Sequence, residues 1–219
     1  VERIRGVPGT SVLLKILRKK EGSITTRDLQ FTRDKVVVRD LRYETKVEPF
    51  QDGVLAYLKL CSFYQDEETS SYEDLLACLR SIQKEHAVKG VILDLRYNPG
   101  GLLSQAVAVS GLFMDKGIVV SIQDGGKSLC HMRNIASQKA WDGPLVILVN
   151  RASASASEIV AQALQDWGRA IIVGDDRSFG KGSFQLFTLC IDGADDPSPL
   201  GEYKVTRGRY YTVSGKSPQ

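Results

Sequence analysis

Hydrophobic and polar positions follow two different periods along this chain. Short segments in which apolar residues alternate with polar ones, or run without interruption, predict β-strands at 11–18, 28–33, 35–41, 54–60, 90–96, 118–123, 144–150, 170–174, 183–189 and 202–213. Residues 72–85 have the helical period instead, which places four apolar side chains on one face: Leu75, Leu76, Leu79 and Ile82. Ser71 is the expected N-cap of that helix, and two more helices are predicted at 102–113 and from the serine-rich turn near 155 to Trp167.

Two of the strands, 90–96 and 144–150, are continuous apolar runs of the kind that is buried on both faces of a sheet. Strands and helices alternate after them, which predicts an α/β core from about residue 50 onward. The segments 19–27, 124–141 and 192–199 are polar and read as loops. Residues 1–35 have no such alternation and are interpreted as part of a different domain.

Composition excludes several classes of function. The 219 residues are 42% hydrophobic and 25% charged, with a net charge of +3, which is too small to indicate a nucleic-acid or membrane-surface partner. No apolar run approaches the roughly 20 residues that span a bilayer. The four cysteines are far apart, without a CxxC pair, which argues against a zinc site and favours free thiols.

The stretch NRASASASEIVAQALQDWG, residues 150–168, carries three serines spaced two apart: Ser153, Ser155 and Ser157. It follows a buried strand and begins a helix, and in α/β sheets ligands gather at the carboxyl ends of strands. Free N–H groups at a helix start can stabilise an oxyanion, so a serine here is a candidate nucleophile for acyl transfer. The alternative is a capping box, because Ser155 and Glu158 have the S-x-x-E spacing.

A serine nucleophile needs a base, and neither histidine is well placed. His86 ends the helix at 72–85, and His131 lies in a polar stretch. Lys181 stands between two glycines in SFGKG, where the backbone can approach another segment closely. A lysine base requires about 4–5 kcal/mol of destabilisation of its charged form, which an apolar pocket supplies, and Phe179 and Phe184 fit such a pocket. The alternative is a surface lysine in a glycine-rich loop.

Three long motifs occur in order: GVILDLRYNPGGLL, then PLVILVNRASASASEIVAQALQDWGRAIIVG, then FGKGSFQ. Together they resemble the carboxyl-terminal processing (tail-specific) serine proteases, most closely the larger bacterial enzymes of the cell envelope. The resemblance implies an α/β fold, a ClpP/crotonase-like protease core at 36–219 that is truncated at its C-terminal end. It also implies that residues 1–35 are the C-terminal remnant of a PDZ domain whose first part is missing.

The resemblance also implies a Ser–Lys dyad and its supporting groups. The family's nucleophile matches Ser155, its general base matches Lys181, and the glutamine that orients the base matches Gln185. The oxyanion donors match the Ala156 amide and one amide of the turn formed by Gly100 and Gly101.

Four further residues near these motifs are assigned to structural roles. Glu158 and Asp166 match family positions needed for activity or integrity, and for both we favour helix capping and loop anchoring. Ser153 and Ser157 are expected to pack around the turn. Two departures from the family pattern are Pro99 in place of a glycine and one extra residue before FGK.

The function implied is a serine endopeptidase without metal, cofactor or nucleic acid. Its expected substrates are unfolded or tagged proteins recognised through their C-terminal tails, and its expected location is the bacterial periplasm or cell envelope. A homodimer through flanking regions is a further expectation. The alternatives are a non-catalytic PDZ-type peptide-binding scaffold and a crotonase-type acyl-CoA enzyme. The second lacks an acidic pair beside the glycine turn and gives the FGK lysine no role.

Overall fold

The computed structural model describes residues 4, 6–20, 22–34, 42–125, 128–136, 138–188 and 203–217. Its contacts divide the chain into two units, Val1–Arg39 and Asp40–Gln219. The elements in chain order are β1 (Ser11–Lys20), β2 (Ser23–Thr32), β3 (Tyr43–Phe50), β4 (Gly53–Leu60), α1 (Ser71–Glu85), β5 (Val88–Asp94), α2 (Leu103–Ser110), β6 (Gly117–Asp124), β7 (Cys130–Asn134), β8 (Leu145–Val149), α3 (Ala156–Asp166), β9 (Ile171–Gly174), β10 (Ser183–Thr188) and β11 (Tyr203–Tyr211).

The first unit contains an antiparallel hairpin of β1 and β2, paired from Ser11 opposite Thr32 to Lys20 opposite Ser23. The loop predicted at 19–27 was therefore too long, because the β-branched residues 24–26 favour a strand. The strand predicted at 35–41 lies outside the described residues. The origin of this unit in a PDZ domain stays a prediction.

The second unit is built on a five-stranded sheet in the order β3-β4-β5-β8-β9. The pairs β4–β5, β5–β8 and β8–β9 are parallel, and β3 adds to one edge antiparallel. The two continuous apolar runs form its central strands, where Leu93 and Ile147 are fully buried. This confirms the predicted α/β core.

A second, antiparallel sheet has the order β10-β11-β6-β7. The helix α3 contacts β9 of the first sheet and β6 of the second, so one hydrophobic core joins the helices and both sheets. The predicted hairpin at the end of the chain corresponds to β10 and β11, and the loop expected at 192–199 lies outside the described residues. None of the helices in the described ranges has the length and apolarity that a membrane crossing needs.

Several predicted boundaries were wrong for identifiable reasons. The strands β3 and β7 were missed because both are sheet edges whose side chains are mostly exposed, which leaves no hydrophobic pattern. Ser70, rather than Ser71, caps α1 by accepting from the Glu73 N–H at 3.3 Å. The buried Ser71 hydroxyl instead donates to the Gln105 side chain at 3.1 Å. The helix predicted at 102–113 ends at Ser110.

Candidate active site

Ser155 stands between the end of β8 and the first residue of α3. Its backbone has φ 58° and ψ −114°, a left-handed conformation that costs a non-glycine residue on the order of 1–3 kcal/mol. The surrounding structure holds it there, because the Ser155 N–H donates to the Glu158 carboxylate at 2.7 Å. A half-buried serine is thus presented at a helix N-terminus, in a strained turn.

The two flanking serines have structural contacts instead. The Ser153 hydroxyl donates to the Leu95 carbonyl at 2.8 Å, and the Ser157 hydroxyl donates to the Asn98 carbonyl at 3.0 Å. Both serines are fully buried. They tie the serine-rich turn to the loop that follows β5, which confirms the structural roles expected for them.

The glycine turn touches the Ser155 turn directly. Gly100 has φ +99°, and a Cβ there would lie 2.7 Å from the Ser155 Cβ and 2.9 Å from the Ala156 nitrogen. Only glycine fits both the backbone angle and the space. The Gly100 N–H is already engaged, because it donates to Asn98 Oδ1 at 2.8 Å. Among the described residues, no group accepts from the N–H of Gly101 or of Ala156.

Glu158 connects the Ser155 turn with the loop that carries Lys181. Besides the Ser155 N–H, its carboxylate accepts from the Ser178 hydroxyl at 2.6 Å, the Gly180 N–H at 2.5 Å and the Lys181 N–H at 3.0 Å. The residue is only 4% exposed, and the free-energy cost of burying its carboxylate is offset by these four hydrogen-bond donors. The helix-capping and loop-anchoring contacts expected of Glu158 are therefore present.

A cavity of about 900 Å³ opens beside Ser155 and is also lined by Lys181, Gln185, Gly101 and Ala156. The rest of its wall is mostly apolar and includes Phe63, Leu102, Leu103, Ile122, Met132, Ile159, Phe184 and Tyr210. An apolar cavity with a few convergent polar groups is the usual form of a ligand site.

The two residues of the predicted dyad line this cavity without a hydrogen bond between their side chains. Over the part of the chain that is described, no hydrogen bond joins the side chains of Ser155, Lys181 and Gln185, and Gln185 is exposed. Lys181 is half-buried rather than enclosed. The expectation for Phe179 was wrong: its N–H donates to the Ser153 carbonyl at 3.0 Å, the residue is 66% exposed, and it does not line the cavity.

Asp166 ends α3 and does not line the cavity. Its carboxylate accepts from the Ser214 N–H at 3.0 Å and from the Gln162 side chain at 2.7 Å. It therefore anchors the segment after β11 to the far end of the helix that begins next to Ser155.

Both histidines lie away from the cavity. His86 is the C-cap residue of α1, where its N–H donates to the Ile82 carbonyl. The exposed His131 pairs its Nδ1 with the Ser121 hydroxyl at 2.8 Å. Neither ring lines the cavity that holds Ser155.

Metal and disulfide chemistry have little support in the residues that are described. No group of three His, Cys, Asp or Glu side chains among them is arranged to hold a metal ion. Cys61, Cys78 and Cys130 are free thiols, and Cys190 lies outside the described residues.

Two residues that support the site were missed at the sequence level. The buried Asn98 donates to the Leu60 carbonyl, and its own main-chain carbonyl accepts from Ala154 and Ser157. Its position at the start of an NPGG turn was a usable signal, because asparagine stabilises turns. Tyr210 lies far along the sequence on β11, with no local motif to identify it.

Residues 54–219 match the family model Peptidase family S41. The chain belongs to this family. It is 39% identical, over its whole length, to the carboxy-terminal-processing protease of Bartonella bacilliformis, of which it covers 47%. It is 38% identical, again over its whole length, to the tail-specific protease of Haemophilus influenzae, of which it covers 30%. The resemblance predicted from the three motifs is thus confirmed.

Solved structures agree with this S41 assignment. A photosystem II D1 C-terminal processing protease shares 30% identity at a TM-score of 0.65, covering 98% of this chain and 54% of that one. A mature CPAF in complex with lactacystin, at 12% identity and a TM-score of 0.60, shares the fold. The chain spans half or less of the length of the curated relatives described above.

Proposed function

We propose that this S41 chain forms the catalytic core of a serine endopeptidase that uses Ser155 as nucleophile and Lys181 as general base. One observation carries the proposal: one cavity is lined by the strained Ser155 turn, by Lys181 and by the two residues whose N–H groups are unengaged, Gly101 and Ala156. A nucleophile, a base and an oxyanion site within one pocket are the parts that acyl transfer needs.

The chemistry follows from those parts. Neutral Lys181 removes the Ser155 hydroxyl proton as the oxygen attacks the substrate carbonyl, and the tetrahedral oxyanion is held by N–H groups. The protonated lysine then donates its proton to the leaving amine, which leaves the acyl group esterified to Ser155. Water, deprotonated by the same lysine, hydrolyses the ester and restores the free hydroxyl. Gln185 is assigned to orient the lysine.

The oxyanion site can be assigned more narrowly than the sequence allowed. Because the Gly100 N–H donates to Asn98 Oδ1, it is occupied in the resting protein. We therefore assign the binding of the oxyanion to the N–H groups of Gly101 and Ala156. Gly100 has a different role, because its missing side chain lets the glycine turn approach the Ser155 turn closely. In this assignment, the Ser155 and Lys181 side chains approach when substrate fills the cavity, as often occurs between free and occupied active sites.

Substrate binding by strand addition is better supported at β10 than at β6. Both edges of β6 are paired, with β11 and with β7. Within the described residues, β10 pairs with β11 alone, and its Phe184 and Gln185 line the cavity. An extended peptide that pairs with β10 would bring its main chain beside Ser155. By analogy with the named relatives, we propose that this peptide is the C-terminal tail of a protein substrate. The motif resemblance implies the bacterial periplasm or cell envelope as its location.

The test is digestion of an unstructured protein by the full-length protein, compared with the variants Ser155→Ala and Lys181→Ala. Both variants should lose at least about 10³-fold in kcat, because removing one member of a catalytic dyad costs nearly as much activity as removing both. Lys116→Ala, which removes an exposed lysine that does not line the cavity, is the matched control. A fluorophosphonate probe should label Ser155 in the wild type.

Retention of wild-type turnover by Lys181→Ala would refute the dyad. A wild-type protein that binds peptide but neither digests the test protein nor reacts with the probe would instead support the scaffold alternative.

A further inference from the structure

Tyr210 makes contacts on both sides of the Ser155–Lys181 cavity. It lies on β11 with 2% of its surface exposed, and it is one of the residues that line the cavity. Its hydroxyl donates to the main-chain carbonyl of Lys181 and lies 3.5 Å from the carbonyl oxygen of Ser155. Its own N–H donates to the Gly182 carbonyl at 3.0 Å.

These contacts fix a segment that is otherwise free to bend. Lys181 lies between Gly180 and Gly182, and glycine is the residue with the widest choice of backbone angles. Glu158 holds the Lys181 N–H, while Tyr210 holds the two carbonyls that follow. The peptide units on both sides of the lysine Cα are therefore anchored, which sets the direction in which the side chain leaves the backbone.

The phenol is suited to this role because it stays protonated. Burial, together with the negative charge of Glu158, raises the pKa of Tyr210 above its ordinary value. Its hydroxyl therefore remains a donor to the Lys181 carbonyl at any pH at which a protease of this kind works. A phenylalanine at this position would fill the same space but leave that carbonyl without its partner.

We propose that Tyr210 is a positioning residue for the general base Lys181, acting through the main chain of Lys181 and Gly182. The inference rests on the proposed function, because it assigns a role within the Ser155–Lys181 reaction. A residue that only positions the base should affect the chemical step and leave substrate binding nearly unchanged.

The experiment compares Tyr210→Phe with Tyr211→Phe in the full-length protein. Tyr211 is its neighbour on β11, and its hydroxyl contacts Gln123 at 3.4 Å, outside the cavity wall, so it is a matched control. For Tyr210→Phe we expect kcat to fall roughly 10-fold to 100-fold, since a misplacement of about 1 Å has effects of this size. KM should stay within about 2-fold, and Tyr211→Phe should match the wild type.

Titration with a fluorophosphonate probe separates positioning from folding. Its stoichiometry counts intact sites, and its rate reports how well the base activates Ser155. Slow labelling to full stoichiometry supports the proposal. A Tyr210→Phe variant whose turnover per labelled site equals that of the wild type overturns it, because the hydroxyl would then matter only for stability. A wild type with neither proteolysis nor labelling would refute the proposed function, and the assignment with it.

If Tyr210→Phe does not fold, difluorotyrosine at position 210 provides the second measurement. It keeps the hydroxyl, but its phenol is more acidic and loses the donor proton at lower pH. Loss of kcat at alkaline pH, where the wild type is still active, supports the proposal. A pH–rate profile unchanged from the wild type, at a pH where the ultraviolet absorbance of the phenolate shows that residue 210 has ionised, overturns it.

Discussion

Gly100→Ala is the sharpest test of how closely the two turns of the site must approach. A Cβ at this position would lie 2.7 Å from both the Ala154 carbonyl oxygen and the Ser155 Cβ. Ordinary contacts begin near 3.4 Å, so the turns must separate by about 0.7 Å. Since the opposing atoms are backbone or Cβ atoms, no flexible side chain can move aside.

Both activity and stability should fall. A separation of that size displaces the N–H groups of Gly101 and Ala156 relative to each other, and loss of one oxyanion donor lowers kcat by about 10²–10³-fold. The backbone strain at φ +99° adds on the order of 1–3 kcal/mol of destabilisation.

The assay is steady-state proteolysis together with thermal unfolding of the same preparations. Gly168→Ala is the matched control, because Gly168 also has a positive φ, +63°, but a Cβ there meets no atom within 4 Å. It should be destabilised by about 1 kcal/mol and keep wild-type kcat. If Gly100→Ala also kept wild-type kcat, the close approach of the two turns would have no part in catalysis.

Three further predictions concern carboxylates. Glu158→Gln leaves one acceptor oxygen for four hydrogen-bond donors. It should therefore lower kcat by at least about 10-fold, measured by proteolysis, and the free energy of unfolding by about 3 kcal/mol, measured by denaturant titration. Burial alone would raise the pKa of Asp94, but hydrogen bonds from Arg96 and Tyr57 outweigh it and lower the pKa. Asp94→Asn should therefore destabilise by about 1–3 kcal/mol at neutral pH. That deficit should shrink as pH falls through the lowered pKa, and a deficit independent of pH would contradict the assignment. Asp166→Ala releases the segment after β11, so hydrogen exchange there should rise while Ser155 still reacts with a fluorophosphonate; unchanged exchange would contradict the anchor.

The sequence predicted those parts of the fold whose burial is visible as a pattern. The central strands β5 and β8 and the helix α1 carry long apolar signals, and each was located within a few residues. The strands β3 and β7 were missed because an exposed edge strand is held by main-chain hydrogen bonds, which any sequence can form.

In the site, likewise, local motifs could be found in the sequence, whereas contacts between residues distant in sequence could not. The serine-rich turn and the FGKG loop are local motifs, and the structure places both at one cavity. The Asn98 side chain decides whether the Gly100 or the Gly101 N–H is free to bind an oxyanion, because it accepts from Gly100. The spacing of residues in the sequence does not reveal this hydrogen bond. The contact between Tyr210 and Lys181 joins residues 29 positions apart. Phe179 was misplaced because its neighbours in sequence say nothing about which way a loop side chain points.

The four donors on the Glu158 carboxylate have a consequence for how this protein can diverge. Three of them are backbone N–H groups, which every residue except proline supplies whatever its side chain. The loop is therefore held to the helix start whatever side chains stand at 155, 180 and 181, which leaves Ser155 and Lys181 to serve the proposed chemistry and Gly180 to adopt its φ of +86°. Proline at 180 or 181, which would remove an N–H donor from this acid, is the substitution that selection should exclude in homologues.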